Sequence, residues 1–181
     1  RRPLPYLAAR PHMIGDEADD ALAALLDRLR ALGYAFVPPT PETHRRVVAR
    51  RAIAADLRDI FGWSRAFRPA TLAPDLLDLL GRAEALEQDD DLCRSQVRVA
   101  TMGERFFLHS AYPTESADSV FLGPDSYRFA AFVGRELAAG PRVRRLVDIG
   151  AGAGVGAILA AAHVPGARLT LTDINPLALR F

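Results

Sequence analysis

The chain contains no lysine; all 23 residues of its Lys+Arg total are arginine. Arginine makes bidentate contacts to phosphate and carboxylate that lysine cannot, but a coding bias towards Arg and Ala accounts for the same pattern, so the bias singles out no partner. There is one cysteine, Cys93, which excludes an internal disulfide framework and a multi-cysteine metal site. It stands among Asp89, Asp90, Asp91 and Arg94, without the histidines a catalytic thiol needs, and reads as incidental. No metal site is expected. No apolar run reaches the roughly 18–20 residues of a membrane span, and the opening RRPLPYLAARPH lacks the apolar centre of a signal peptide. A cytoplasmic protein without a membrane partner is expected. The net charge of +1 gives no whole-chain attraction to nucleic acid. The 181 residues suffice for one large domain or two small ones.

What is present begins with an arm rich in proline, residues 1–15, and then a helix over DEADDALAALLDRLRALG. Asp16, Glu17, Asp19 and Asp20 suit the positive end of its dipole. Leu22, Leu25, Leu26, Leu29 and Leu32 recur at helical spacing, and Gly33 ends it. Thr40 and Pro41 predict the start of a second helix, running to Gly62 with Val47, Val48, Ala54, Leu57, Ile60 and Phe61 as its buried stripe. Seven arginines between residues 40 and 70 face three acids, and Arg45, Arg46, Arg50, Arg51 and Arg58 form either a phosphate-facing strip or a solvated surface of this helix, 41–61. Residues 73–91 read as one or two short helices with an acidic end. Val97, Val99, Phe106 and Leu108, around a turn at Met102–Glu104, predict a β-hairpin, with His109 on its surface. Trp63 reads as packing.

After a boundary near residues 112–118 the pattern changes. A short apolar strand meets Gly123-Pro124; Asp125 or Ser126 caps a helix with Phe129, Phe132, Val133 and Leu137 at helical spacing. From Val143 the order is strand, glycine turn, helix, strand and helix start, a βαβ unit with parallel pairing. The fold class is therefore α/β: the start of a Rossmann-like doubly wound parallel sheet, residues 112–181, preceded by a mainly helical α+β domain, residues 1–111.

Leu146, Val147 and Ile149 read as a buried strand ending in Asp148-Ile149-Gly150. Open α/β sheets bind ligands beyond the carboxyl ends of their strands. Gly150, Gly152 and Gly154 remove the Cβ atoms that would keep a ligand from the backbone. The next strand, Arg168–Thr172, ends at Asp173, which adjacent pairing places beside the glycine turn, where a carboxylate accepts from both hydroxyls of a ribose. A dinucleotide pattern fails from Gly150, whose sixth residue is Val155, and passes formally as Gly152, Gly154 and Ala157. Each acid also has a purely structural use: Asp148 can cap the turn, and Asp173 can cap a helix before Asn175-Pro176.

The run DIGAGAG, Asp148–Gly154, with LTLTDINP after it, resembles the signatures of class I S-adenosylmethionine-dependent methyltransferases: acid-x-Gly-x-Gly-x-Gly, then an acid ending the next strand. The resemblance covers Val143–Phe181. It implies S-adenosyl-L-methionine as cofactor, with Asp148 near the methionine amino group and Gly150, Ala151 and Gly152 along the methionine and ribose. It further implies Asp173 on the ribose hydroxyls, and Ile174 and Asn175 at the adenine. VFLGPDSYRFAAF is similar to the segment before the first strand in the small-domain group, which includes rRNA base and release-factor glutamine methyltransferases. There a Pro-acid-Ser/Thr turn closes over the cofactor, matched here by Asp125, Ser126 and Tyr127.

The expected function is N-methylation of a nucleic-acid base or a protein glutamine, with RNA or a protein as partner. The Asn/Asp-Pro-Pro-aromatic loop that such relatives carry after their fourth strand is absent from these residues. On the resemblance, the sequence stops after the second of seven strands, the catalytic residues lie beyond Phe181, and the residues given are expected to be inactive alone. The rival readings are an NAD-binding oxidoreductase fragment and a non-catalytic RNA- or protein-binding module.

Overall fold

A computed structural model describes residues 17–181; the proline-rich arm and Asp16 lie outside the described residues. The fold mixes helices with small two-stranded sheets, two antiparallel and one parallel. Helix α1, Glu17–Ala31, starts with Glu17, Asp19 and Asp20 and ends with Arg28 and Arg30, so charge follows its dipole at both ends. Its Leu22, Leu25 and Leu29 are buried, whereas Leu32, past the last turn, is exposed. Gly33 then takes a left-handed φ of 69° and stops the helix.

The second helix differs from its sequence pattern. It is two helices, α2 (Pro41–Val48) and α3 (Leu57–Phe61). Thr40 caps α2 as expected, but Arg65, buried under α2, donates to the carbonyls of Val47 and Val48 (2.8 and 3.1 Å). That guanidinium takes over the end of α2 and lies 3.0 Å from the buried carboxylate of Asp59. Asp56 caps α3, and the intervening chain runs extended, with the Ala54 amide on the Ala66 carbonyl at 2.7 Å. The apolar residues fit a helical stripe, but Asp56, Asp59 and Arg65 offer the backbone competing partners. Val47 and Val48 are consequently only half-buried.

Helix α4 (Pro74–Arg82) is followed by strands β1 (Leu86–Asp89) and β2 (Leu92–Ser95), joined at Asp90, whose φ is 49°. The acidic stretch is thus a hairpin rather than a helix end. Cys93 lies buried in β2. Strands β3 (Val97–Met102) and β4 (Arg105–Ser110) form the expected hairpin. It is buried on both faces: Val97, Val99 and Leu108 join the cluster of α1, α3 and α4, while Ala100 and Phe107 join a second cluster. Trp63 packs against the first cluster, edge-to-face with Phe36 at 5.0 Å.

The second cluster carries the C-terminal elements. Val120 and Leu122 are buried but form no strand; Val120 exchanges hydrogen bonds with the amide and hydroxyl of Ser110. Helix α5 (Pro124–Ala139) follows, then β5 (Arg145–Ile149), α6 (Val155–Ala160), β6 (Arg168–Thr172) and α7 (Pro176–Arg180). Strands β5 and β6 are parallel, Arg145 opposite Arg168 and Ile149 opposite Thr172. The expectation of a buried β5 is corrected: Val147 is 60 % exposed and Ile149 84 %. Asp148 and Leu171 face α6, and no described element covers the opposite face.

His109 is also corrected, from strand surface to full burial. It sits opposite Arg98, and neither ring nitrogen has a hydrogen-bond partner. Burial, then Arg98, then His44 hold its pKa well below the ordinary value. His44, stacked on Tyr112 at 4.2 Å, is pushed down to about 4, first by burial and then by Arg98. Both rings are neutral in the folded chain, whereas the unfolded chain protonates them near 6.5. The unfolded state therefore binds more protons below that value, and each extra proton tilts stability by about 1.4 kcal/mol per pH unit. Urea denaturation midpoints should fall as pH drops from 6.5 towards 4, and the His44→Phe/His109→Leu double variant should show a flatter profile.

Candidate functional site

The turn after β5 is built from its backbone outward. Gly150 and Gly152 have φ of 73° and 53°, left-handed values that cost an L side chain energy. A Cβ at either would meet nothing within 4 Å, so open space lies beside the backbone there. Gly154 is also left-handed, with φ of 71°, and serves packing as well: a Cβ would press on Ile158 and Leu171 at 2.9 and 3.1 Å, and the close approach of α6 to β6 depends on its absence.

The turn is tied to the neighbouring strand. The amides of Gly150 and Ala151 both donate to the Thr172 carbonyl, at 2.8 and 3.0 Å. The Gly152 amide donates to Asp173 Oδ2 at 2.9 Å, and Asn175 donates to Oδ1 at the same distance. These bonds, Asn175 first and then Gly152, hold the Asp173 carboxyl below its usual range. Asp148 reaches the same loop from the other side, accepting from the Ala157 amide at 3.0 Å. The two acids therefore bracket residues 150–157, as the motif spacing predicts, and both also have the structural use open to them.

A cleft of about 270 Å³ opens here, lined by Phe121, Asp125, Ser126, Phe129, Asp148 and the backbone from Gly150 to Ala153. It brings together six of the sequence-predicted residues: Asp125, Ser126, Asp148, Gly150, Ala151 and Gly152. Ser126 Oγ also accepts from the Gly123 amide at 3.4 Å, closing the first turn of α5. Neither arginine nor histidine lines the cleft.

The other residues lie outside it. Asp173 holds the turn through the Gly152 amide and is not among the residues that line the cleft. Ile174 is fully exposed beside Asp173. Asn175 caps α7 through the Leu177 amide and donates from Nδ2 to the Asp118 carbonyl at 2.7 Å. Tyr127 departs furthest from its expected role: its hydroxyl donates to the Thr101 carbonyl at 2.8 Å, and burial pushes its pKa up to about 12. It joins α5 to β3 rather than facing the cleft. Phe121 and Phe129 were missed by motif reading; the signal available was their position, two residues before Gly123 and four after Asp125.

A larger cavity, about 690 Å³, lies between β2, β3, Tyr112 and α7. Arg180 there pairs with Asp19 and Gln96 with Glu87, so much of its polar lining is already matched within the protein. The arginine strip is divided: Arg45 and Arg46 pair with Glu42, Arg51 pairs with Asp59, and α2 ends before Arg50. Among the described residues no cluster of three or more His, Cys, Asp or Glu could hold a metal ion, and no helix is long and apolar enough to cross a membrane.

Because the space around Gly152 is free, Gly152→Ala should cost only backbone strain, about 1–2 kcal/mol in urea denaturation. Gly152→Asn should recover part of it, since asparagine tolerates the left-handed region. No protein-family model matches the chain, and no curated protein matches it.

Proposed function

We propose that residues 112–181 form the cofactor-binding front of an S-adenosylmethionine-dependent methyltransferase. One observation carries the reading: the middle glycine of a left-handed turn at the end of β5 is bonded to the acid ending β6, while Asp148 reaches the same turn from below. On this reading β5 and β6 begin a doubly wound, Rossmann-like parallel sheet, and the exposed Val147 and Ile149 belong under helices of a second layer. Residues 17–111 then serve substrate recognition, and the setting is the cytoplasm.

The residues present fit such a cofactor. Asp148 lines the cleft with a carboxylate that uses one oxygen on Ala157, leaving the other to accept from an amino group. The Asp173 oxygens accept from the amides of Gly152 and Asn175, and a carboxylate's four acceptor positions leave room for a ribose hydroxyl. Ile174, fully exposed beside it, offers an apolar surface to an adenine. Bound there, the cofactor supplies an electrophilic methyl group with a neutral leaving group. The protein's task is alignment, which lowers the barrier by holding the reacting atoms in line. The acceptor is a nitrogen of a base or of a protein glutamine, as in the enzymes it resembles.

The dinucleotide alternative is less well supported. A pyrophosphate is held by free amides at such a turn. Here the amides of Gly150, Ala151, Gly152, Gly154 and Ala157 donate within the protein, which leaves only those of Ala153, Val155 and Gly156 in this stretch for a phosphate. Two carboxylates in the cleft would also repel the phosphates.

Titration calorimetry with S-adenosylmethionine and with NADH tests the choice. Binding of the first and not the second is expected, and the reverse would overturn the reading. Asp173→Ala should weaken the cofactor about ten- to a hundred-fold, the usual range for a hydrogen bond to a charged group. Circular dichroism would check that the variant stays folded.

A further inference from the structure

The arginines that sequence spacing places on one helix are mostly paired, but a second group is not. Arg142 and Arg144 precede β5, and Arg145 and Arg168 begin β5 and β6. Arg145 stands directly opposite Arg168, and the Arg168 amide donates to the Arg144 carbonyl at 3.0 Å. All four residues are exposed. Among the described residues none of the four makes an ion pair or a side-chain hydrogen bond. Exposed arginines elsewhere do find acids: Arg28 pairs with Asp75 and Arg82 with Glu17. Like charges facing each other across a strand pair destabilise it. The one acid within these strands, Asp148, bonds to α6 and gives no relief at their start.

A cleft of about 390 Å³ opens at the same end, where the end of α5, the approach to β5 and the turn after α6 meet. Arg142 and His163 are its only ionisable lining residues, and Pro141, Val143 and Pro165 stand beside them. Its size falls within the usual range of small-ligand pockets, about 300–1,000 Å³. The charge is the reverse of that in the cleft at Asp148, which holds carboxylates and no cation. The two clefts lie at opposite ends of the same elements. The five residues of β5 span about 16 Å and the 16 residues of α5 about 24 Å.

A guanidinium takes a phosphate through two parallel N–H···O bonds, so a group of them suits a chain of phosphates. We propose that the amino end of β5 and β6 is a nucleic-acid binding surface. Arg142, Arg144, Arg145 and Arg168 hold the phosphates of a single strand, and the cleft at Arg142 and His163 receives one of its bases. A lipid surface, being flat, would leave that cleft empty. The surface stands independently of the cofactor cleft. Taken with the methyltransferase reading, on which this step rests, it makes a nucleic-acid base rather than a protein glutamine the methyl acceptor.

The test is fluorescence anisotropy of the chain with a labelled oligouridylate, set against polyglutamate and phosphatidylserine vesicles. The oligouridylate should bind most tightly, and its affinity should fall with salt. Each phosphate contact on a single strand contributes about 0.7 to the log–log salt slope. The Arg142→Gln/Arg145→Gln/Arg168→Gln variant should therefore lower the slope by about two and weaken binding at least about tenfold at low salt. Arg50→Gln/Arg58→Gln, at exposed positions in the 40–70 stretch, should change neither. Circular dichroism checks folding, and the triple variant should bind S-adenosylmethionine like the parent, since none of its three positions lines that cleft. No binding of the oligouridylate, equal or tighter binding of polyglutamate or vesicles, an unchanged slope in the triple variant, or loss of binding in the Arg50/Arg58 variant would overturn the surface and leave the cofactor reading intact. Oligouridylate binding without S-adenosylmethionine binding would overturn the cofactor reading alone.

Discussion

The hydrogen bond from the Gly152 amide to Asp173 is the constraint on which the candidate site depends. It joins the ends of two parallel strands, alongside their short ladder, the two amides on Thr172 and the Thr172 hydroxyl on the Asp148 carbonyl. By holding the turn in left-handed conformations it exposes bare backbone to the cleft, and it leaves Asp173 ionised with lone pairs to spare. A side chain at Gly150 or Gly152 would strain the backbone before it touched any ligand, so conformation and access impose the same residue there. The acid at the end of one strand and the glycines at the end of the other work as one unit.

The β3–β4 hairpin does the corresponding work for the rest of the molecule. Its two faces belong to two different apolar clusters, and Tyr127 and Phe181 tie the later elements back to it and to its neighbours. The position of α5, and with it Phe129 and Asp125, is therefore set partly from outside the βαβ unit. The buried Arg98, whose Nε donates to the Ser110 carbonyl at 2.8 Å, stands opposite His109 inside this wall, and both lose part of their affinity for protons to burial.

Charge in the molecule is arranged locally. The overall balance is near neutral, and most arginines of the 40–70 stretch are occupied by Glu42, Asp59 or backbone carbonyls. The cleft is the opposite case, with carboxylates and rings and no cation. Arg65 illustrates how the same residue type that suggests an anion surface in sequence can be a structural element, closing α2 and pairing with Asp59 in the interior.

Local chemistry along the chain determined α1, the cap at Thr40, the β3–β4 hairpin, the order strand–turn–helix–strand, and the pairing of Asp148 and Asp173 around the glycines, because each depends on neighbours a few residues apart or on one crossover. Tertiary structure alone decided the break between α2 and α3, since Arg65 competes for the helix carbonyls from a distant position. It also decided the burial of His109 and the turning of Tyr127 towards Thr101. The exposure of Val147 and Ile149, and the meeting of Phe121 and Phe129 with two carboxylates, belong to the same class. Periodicity tells which residues share a face, but what that face meets depends on elements brought together by packing, and no spacing rule within a strand or helix carries that information.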